Sequence, residues 1–220
     1  MFDNMIFGSA IAARRSALQF HFDVKRRFEE IEESCIPSYV HGNPAAAWVA
    51  WQRIRAAAKL YNRYAPPGPI LDFGGATGEV GHLITKRGAY HIVEQDDVLV
   101  AACKQWQDVR RTTLTKAKRG SFAAMFALDS LEHNDNIPDL VAQMVPLLRN
   151  DGIFILSGPT ESGFYKLGRK LAGFSGHYHH SNIYDIERIV AKHCTLVEAR
   201  HVPIFPTLFR VTAWRRTHAG

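Results

Sequence analysis

The stretch Ile70-Leu71-Asp72-Phe73-Gly74-Gly75-Ala76-Thr77-Gly78-Glu79-Val80-Gly81 decides the fold class. An apolar run ends in a carboxylate at Asp72, glycines turn the chain, and a helix is expected to start near Glu79. Glycine lets a backbone approach a ligand closely, and a helix N-terminus offers free N–H groups. In a doubly wound sheet a nucleotide-type ligand belongs at such a strand end.

Upstream, Pro66-Pro67-Gly68-Pro69 stops a helix read from Pro44 to Tyr64, with Trp48, Trp51, Ile54, Leu60 and Tyr61 available for burial. Residues 9–34 read as an earlier helix carrying Ile11, Leu18, Phe22, Phe28 and Ile31, and residues 35–44 as a connector. Downstream, the apolar runs PILDF, YHIVE, FAAMFAL and GIFILSG alternate with helical segments at 82–87, 97–107 and 137–149. That alternation predicts βαβ units and a parallel sheet. Thr195–Ala199 and Leu208–Trp214 flank a loop containing Pro203 and Pro206, with no helix between them. They predict an antiparallel pair closing the sheet edge. The class is α/β, with an N-terminal helical extension over 1–65 and the nucleotide-binding domain over 66–220.

Of the 220 residues, 46% are hydrophobic and 22% charged, the balance of a globular protein. No stretch approaches the roughly 20 apolar residues of a membrane-spanning helix. The start, MFDNMIFGSAIAARR, places Asp3 early and Arg14 and Arg15 late, the reverse of a secretory signal. The acids Glu29, Glu30, Glu32 and Glu33 argue against an organelle transit peptide. Cys35, Cys103 and Cys194 show no CxxC spacing and cannot all pair, so a cytoplasmic location is expected. The net charge of +6 is concentrated between Lys104 and Gly120, a solvated surface in the simplest reading.

Asp72-Phe-Gly74-Gly75-Ala76-Thr77-Gly78 resembles motif I of class I S-adenosylmethionine-dependent methyltransferases, with Ala76 where the middle glycine usually stands. Phe122–Leu128 followed by Asp129-Ser-Leu-Glu132-His133 resembles the fourth strand and "LEH" of the ubiquinone-biosynthesis-like members (the methyltransferase-11/23 type). Asp151-Gly152-Ile-Phe-Ile-Leu-Ser-Gly-Pro159 resembles their fifth strand. The resemblance covers about residues 66 to 200. It implies a Rossmann-like three-layer α/β/α sandwich with a mostly parallel seven-stranded sheet and an antiparallel C-terminal edge strand. It also implies S-adenosyl-L-methionine as cofactor, held by Asp72, Gly74, Gly75, Ala76, Gly78, Glu94, Gln95, Leu128 and Asp129. In that reading Asp72 meets the methionine ammonium. Glu94 ends the second strand 16 residues after Gly78, where an acid can accept both ribose hydroxyls. The simpler alternative is that Glu94 caps the helix beginning near Asp96, but its strand-end position and spacing favour the ribose role. An acid near the end of the third strand, to meet the adenine amine, is missing.

Methyl transfer from a sulfonium is an in-line displacement that needs alignment, and a hydroxyl nucleophile adds the need for a general base. His177, in Gly176-His-Tyr-His-His-Ser181, and His133 are the candidates. The histidine cluster lacks an evident acidic or cysteine partner, so no metal is expected. The expected acceptor is a small molecule, lipid-linked compound or glycan, methylated on oxygen. Nucleic acid is disfavoured because Leu128-Asp129-Ser130-Leu131 replaces the Pro-Pro-aromatic loop that grips a flipped base. The N-terminal helices would cap the cleft or form a homodimer contact. Their aromatics, among them Phe20, Phe22, Phe28, Tyr39, Trp48 and Trp51, serve packing first and pocket lining second.

Two other readings stand beside this one. Gly75-Ala-Thr-Gly78-Glu-Val-Gly81 also matches the GxxGxxG of short-chain-dehydrogenase-like NAD(P) folds, but no Tyr-x-x-x-Lys pair exists in the chain. A non-catalytic interaction module of the same fold is the third, and retention of Asp72, Gly74, Gly78 and Glu94 argues against it.

Overall fold

The computed structural model describes residues 2–24, 31, 34–85, 87–163, 165 and 181–217. Helices α1 (Phe2–Phe7), α2 (Ser9–Phe22), α3 (Ile36–Tyr39) and α4 (Pro44–Tyr64) come first. Then follow β1 (Ile70–Phe73), β2 (Tyr90–Val93), α5 (Asp97–Trp106), β3 (Arg110–Arg111), β4 (Phe122–Leu128) and α6 (Ile137–Met144). The chain closes with β5 (Leu148–Pro159), α7 (Ile183–Val190), β6 (Cys194–Val202) and β7 (Phe209–Arg216).

The seven strands form one sheet in the order β3-β2-β1-β4-β5-β7-β6. The pairs among β1 to β5 are parallel, whereas β7 runs antiparallel to both β5 and β6. This is the α/β architecture that the alternating runs predict. The parallel strands are apolar on both sides, because helices cover both sheet faces. Ile70, Ile92, Phe126 and Ile155 bury into a core shared with α2 and α4. Their strand neighbours Leu71, Met125, Ala127 and Leu156 bury into a second core with α6 and α7. Alternation with period two therefore divides one sheet between two cores, giving three layers.

Two local expectations are corrected. No α-helix occupies 82–85; the loop runs into a single 3-10 turn, Glu79–His82. Gly78 precedes this turn in the left-handed region at φ 73, and Gly81 packs against the Gln107 side chain. The first helix ends at Phe22, not near residue 34, because Asp23 turns left-handed at φ 42. Most of 25–33, Phe28 included, lies outside the described residues. The second helix spans Pro44–Tyr64 as expected, with the Asn43 side chain accepting from Ala45 N at its start.

Among the described residues, no helix is long and apolar enough to cross a membrane. The cysteines are unpaired, with Cys103 and Cys194 buried and Cys35 partly so.

Candidate cofactor cleft and active site

At the carboxyl end of β1 the glycine loop borders a small, partly open cleft. Asp72, Gly74, Gly75, Ala76, Glu79 and Leu128 line it from the sheet side, and Cys35 and Tyr39 face them from the N-terminal helices. Asp72 is 2% exposed and accepts one hydrogen bond, from Tyr90 Oη at 2.5 Å. Burial pushes its carboxyl up to about 7, against the opposing pull of the Tyr90 hydroxyl. A buried carboxylate held so incompletely suits a cationic ligand group such as an α-ammonium.

The loop is shaped around that carboxylate. A Cβ on Gly75 would sit 2.4 Å from Asp72 Oδ2, and one on Gly74, where φ is +63°, would sit 2.5 Å from the Ser130 Cβ. Ala76 adopts φ 46 without being glycine. That is the conformation the usual middle glycine would take at no steric cost. Ala76 N donates to Glu94 Oε2 at 3.0 Å, which ties the loop to the end of β2. Glu94 Oε1 accepts from the Gln95 and Asp96 backbone N–H groups. Capping of α5 itself falls to Asp96, which accepts from Val98 and Leu99, so Glu94 is not the helix cap. Gln95 is exposed and its carbonyl accepts from Arg111 Nη2 at 2.8 Å.

The glycine loop is clamped from outside the nucleotide-binding segment. Arg14 of α2 donates from Nε and Nη2 to Glu79 at 2.8 and 2.6 Å, and Thr77 Oγ1 donates to the same carboxylate at 2.7 Å. The Arg14 guanidinium lies 3.8 Å from the Trp106 ring centroid. No local sequence signal announces such a pair, since its partners are 65 positions apart.

Just past β4, next to the cleft-lining Leu128, Asp129 takes φ 51. It pairs with Arg53 of α4 at 2.6 Å, both side chains almost fully buried, and accepts from Ser157 Oγ at 3.1 Å. Arg53 also lies 4.2 Å from the Phe209 ring centroid. Burial opposes the charge on Arg53, and Asp129, helped by Cys35, Tyr39 and Tyr165, outweighs it, so the guanidinium stays charged. Burial likewise pushes Cys35 up to about 11 and raises Tyr39. Arg53, like Arg14, carries no local signal in the sequence.

Of the two histidine candidates, His133 is exposed on the 3-10 turn Leu131–His133, and His177 lies outside the described residues. Among the described residues there is no cluster of metal-ligating side chains. Of the aromatics in the N-terminal helices, Phe22 and Trp51 are in the core, Tyr39 lines the cleft, and Phe20 is 91% exposed.

Residues 49–207 match a family model described as a methyltransferase domain. The chain belongs to this methyltransferase family. Its motifs are those of the class I S-adenosylmethionine-dependent enzymes, which the glycine loop after β1 and the strand order bear out. A search of curated proteins finds no match. Among solved structures the fold is similar to the PH0226 protein of Pyrococcus horikoshii OT3, at a TM-score of 0.65 and 12% identity over 86% of this chain and 99% of that one. It is also similar to the N-methyltransferase NodS of Bradyrhizobium japonicum WM9, solved with S-adenosylhomocysteine, at 0.62 and 12% over 77% and 88%. A third similar structure is a Burkholderia thailandensis 1,6-didemethyltoxoflavin-N1-methyltransferase, at 0.57 and 18% over 88% and 90%.

Proposed function

We propose that this methyltransferase moves the methyl group of S-adenosyl-L-methionine onto a hydroxyl of a small-molecule, lipid-linked or glycan acceptor. The observation that carries the cofactor half is Asp72, buried beneath a loop whose glycines leave room for it and whose Ala76 N–H is held by Glu94. When bound, the cofactor supplies an electrophilic methyl on a positively charged sulfur. The chain's part is to hold and align. Asp72 receives the methionine ammonium, Glu94 the ribose hydroxyls, and Gly74, Gly75, Ala76 and Gly78 let the backbone pass close to the ligand. Leu128, Asp129 and Gln95 complete the cofactor side in this reading. Alignment of this kind supplies up to roughly 7–11 kcal/mol of a barrier in well-oriented systems.

The cleft, walled by Cys35 and Tyr39 of the N-terminal helices, accords with a small acceptor. The Burkholderia neighbour, solved with 1,6-didemethyltoxoflavin, supports a small molecule by analogy of fold. The base for the hydroxyl is sought among His177, His133 and the buried acids beside the cleft. Unpaired Cys35, Cys103 and Cys194 support a reducing, cytoplasmic setting. A homodimer through the N-terminal helices, where Phe20 stands exposed, belongs to the same reading. The test is transfer of isotope-labelled methyl from S-adenosylmethionine into a panel of hydroxyl-bearing small molecules, lipids and glycans, with amines and oligonucleotides alongside. Label in the hydroxyl arm supports the reading. Label confined to amines or oligonucleotides overturns the acceptor class and leaves the cofactor assignment standing.

A further inference from the structure

Glu132 is 1% exposed, and neither of its carboxylate oxygens has a hydrogen-bond partner. It follows Asp129 by three residues, on the 3-10 turn that leaves the carboxyl end of β4. A buried carboxyl without a partner is costly, and native proteins keep such a group where a ligand or a proton uses it. The next residue in the same turn, His133, is exposed, so the turn buries the acid and leaves the imidazole in solvent.

Glu132 lies four residues beyond Leu128, which lines the cleft. Charged and titratable groups face it from three elements: Asp129 at the end of β4, Arg53 of α4, and Glu161 after β5. Cys35, which lines the cleft, feels Arg53, Asp129 and Glu132 together. The Arg53 charge is already committed to Asp129 at 2.6 Å. Glu132 is therefore the acid in this group left over after pairing. Arg53 Nε, also buried, has no hydrogen-bond partner either.

We propose that Glu132 is the proton acceptor for the methyl-accepting hydroxyl, standing across the cleft from the departing methyl group. The inference rests on the methyltransferase reading above and deepens it. In the step, the acceptor's O–H bond breaks and its proton goes to a Glu132 oxygen. The freed oxygen pair forms the O–CH3 bond, and the S–CH3 pair returns to sulfur, leaving neutral S-adenosylhomocysteine. No oxidant, reductant or metal is required. Burial, first, and Asp129, second, raise the Glu132 carboxyl well above the ordinary glutamate range, which makes its ionised form a better base.

The test needs no known acceptor. Sinefungin carries an ammonium-bearing carbon where S-adenosylmethionine carries its methylated sulfur. S-adenosylhomocysteine has no group pointing to the acceptor side. The ratio of their dissociation constants, measured calorimetrically on the full chain, therefore reads the charge facing the departing methyl. Wild type is expected to favour sinefungin by tenfold or more, and Glu132→Gln to bring the ratio near unity with S-adenosylhomocysteine affinity unchanged. An equal ratio in wild type and Glu132→Gln overturns the proposal.

Should Glu132→Gln fail to fold, the pH series on wild type decides. The preference for sinefungin rises with pH as Glu132 ionises, and the titration of Asp72, common to both ligands, cancels in the ratio. A flat ratio overturns the proposal. Failure of both ligands to bind would instead overturn the methyltransferase reading, and this inference with it.

Discussion

Arg14 and Glu79 form a buried two-point ion pair, at 2.8 and 2.6 Å, that fastens helix α2 to the turn leaving the glycine loop. Both residues are under a tenth exposed. The N-terminal extension is thus wired to the cofactor cleft by charge as well as by apolar packing.

Removing one partner leaves the other charge buried and alone, which costs about 3–5 kcal/mol. Arg14→Ala is expected to lose stability of that order in urea unfolding. The double variant Arg14→Met with Glu79→Gln should be much less affected, since neither charge remains to be desolvated. Equal losses in both would show that the pair contributes nothing beyond packing. S-adenosylhomocysteine affinity should fall in Arg14→Ala as the loop loses its clamp.

Ala76 holds a left-handed backbone at φ 46. An L-residue with a Cβ is strained there by roughly 1–2 kcal/mol, and glycine is not. Ala76→Gly should therefore stabilise the protein by about 1 kcal/mol after the entropic cost of the extra glycine. Thermal unfolding should show a rise of a few degrees; a fall would mean that the alanine methyl has a packing role.

Asp72 has its carboxyl raised from 3.8 to about 7, mainly by burial. The sign follows from linkage: ionising this group costs stability, the cost being absent below about pH 4 and full above about pH 7. Asp72→Asn should thus raise the melting temperature at pH 8 and change it little at pH 4. Tyr90 can still donate to the amide oxygen. The same variant should lose most of its affinity for S-adenosylhomocysteine, whose ammonium needs the ionised acid. In wild type that affinity should drop as pH falls through 7. Unchanged affinity in Asp72→Asn would refute its assignment as the ammonium partner.

Gly75→Ala would place a Cβ 2.4 Å from Asp72 Oδ2. The carboxylate must move, so binding of S-adenosylhomocysteine should weaken by at least tenfold, or about 1.4 kcal/mol. Circular dichroism should report an intact fold. Full affinity would place the ligand's ammonium elsewhere.

The elements read most directly from the sequence are those whose signal is local. The β1–loop junction follows from an apolar run broken by Gly74 and Gly75, and the β6–β7 pair from two runs with no helix between them. The expected helix start at Glu79 is instead a single 3-10 turn, Glu79–His82, packed against Gln107, a partner 26 positions distant that no local pattern announces. Nothing local in the sequence marks Arg14 or Arg53 as buried. Their burial depends on Glu79 and Asp129, brought to them by the fold, and no spacing rule connects such partners. Glu132 stood inside a recognised motif, yet its isolation from every hydrogen-bond donor is visible only in three dimensions.

The most direct test of the central claim is calorimetric titration with S-adenosylhomocysteine, with NADPH as control. Micromolar binding of the first, lost in Asp72→Asn, and none of the second is the predicted result. Binding of NADPH alone would contradict the account, because the glycine loop would then serve a dinucleotide.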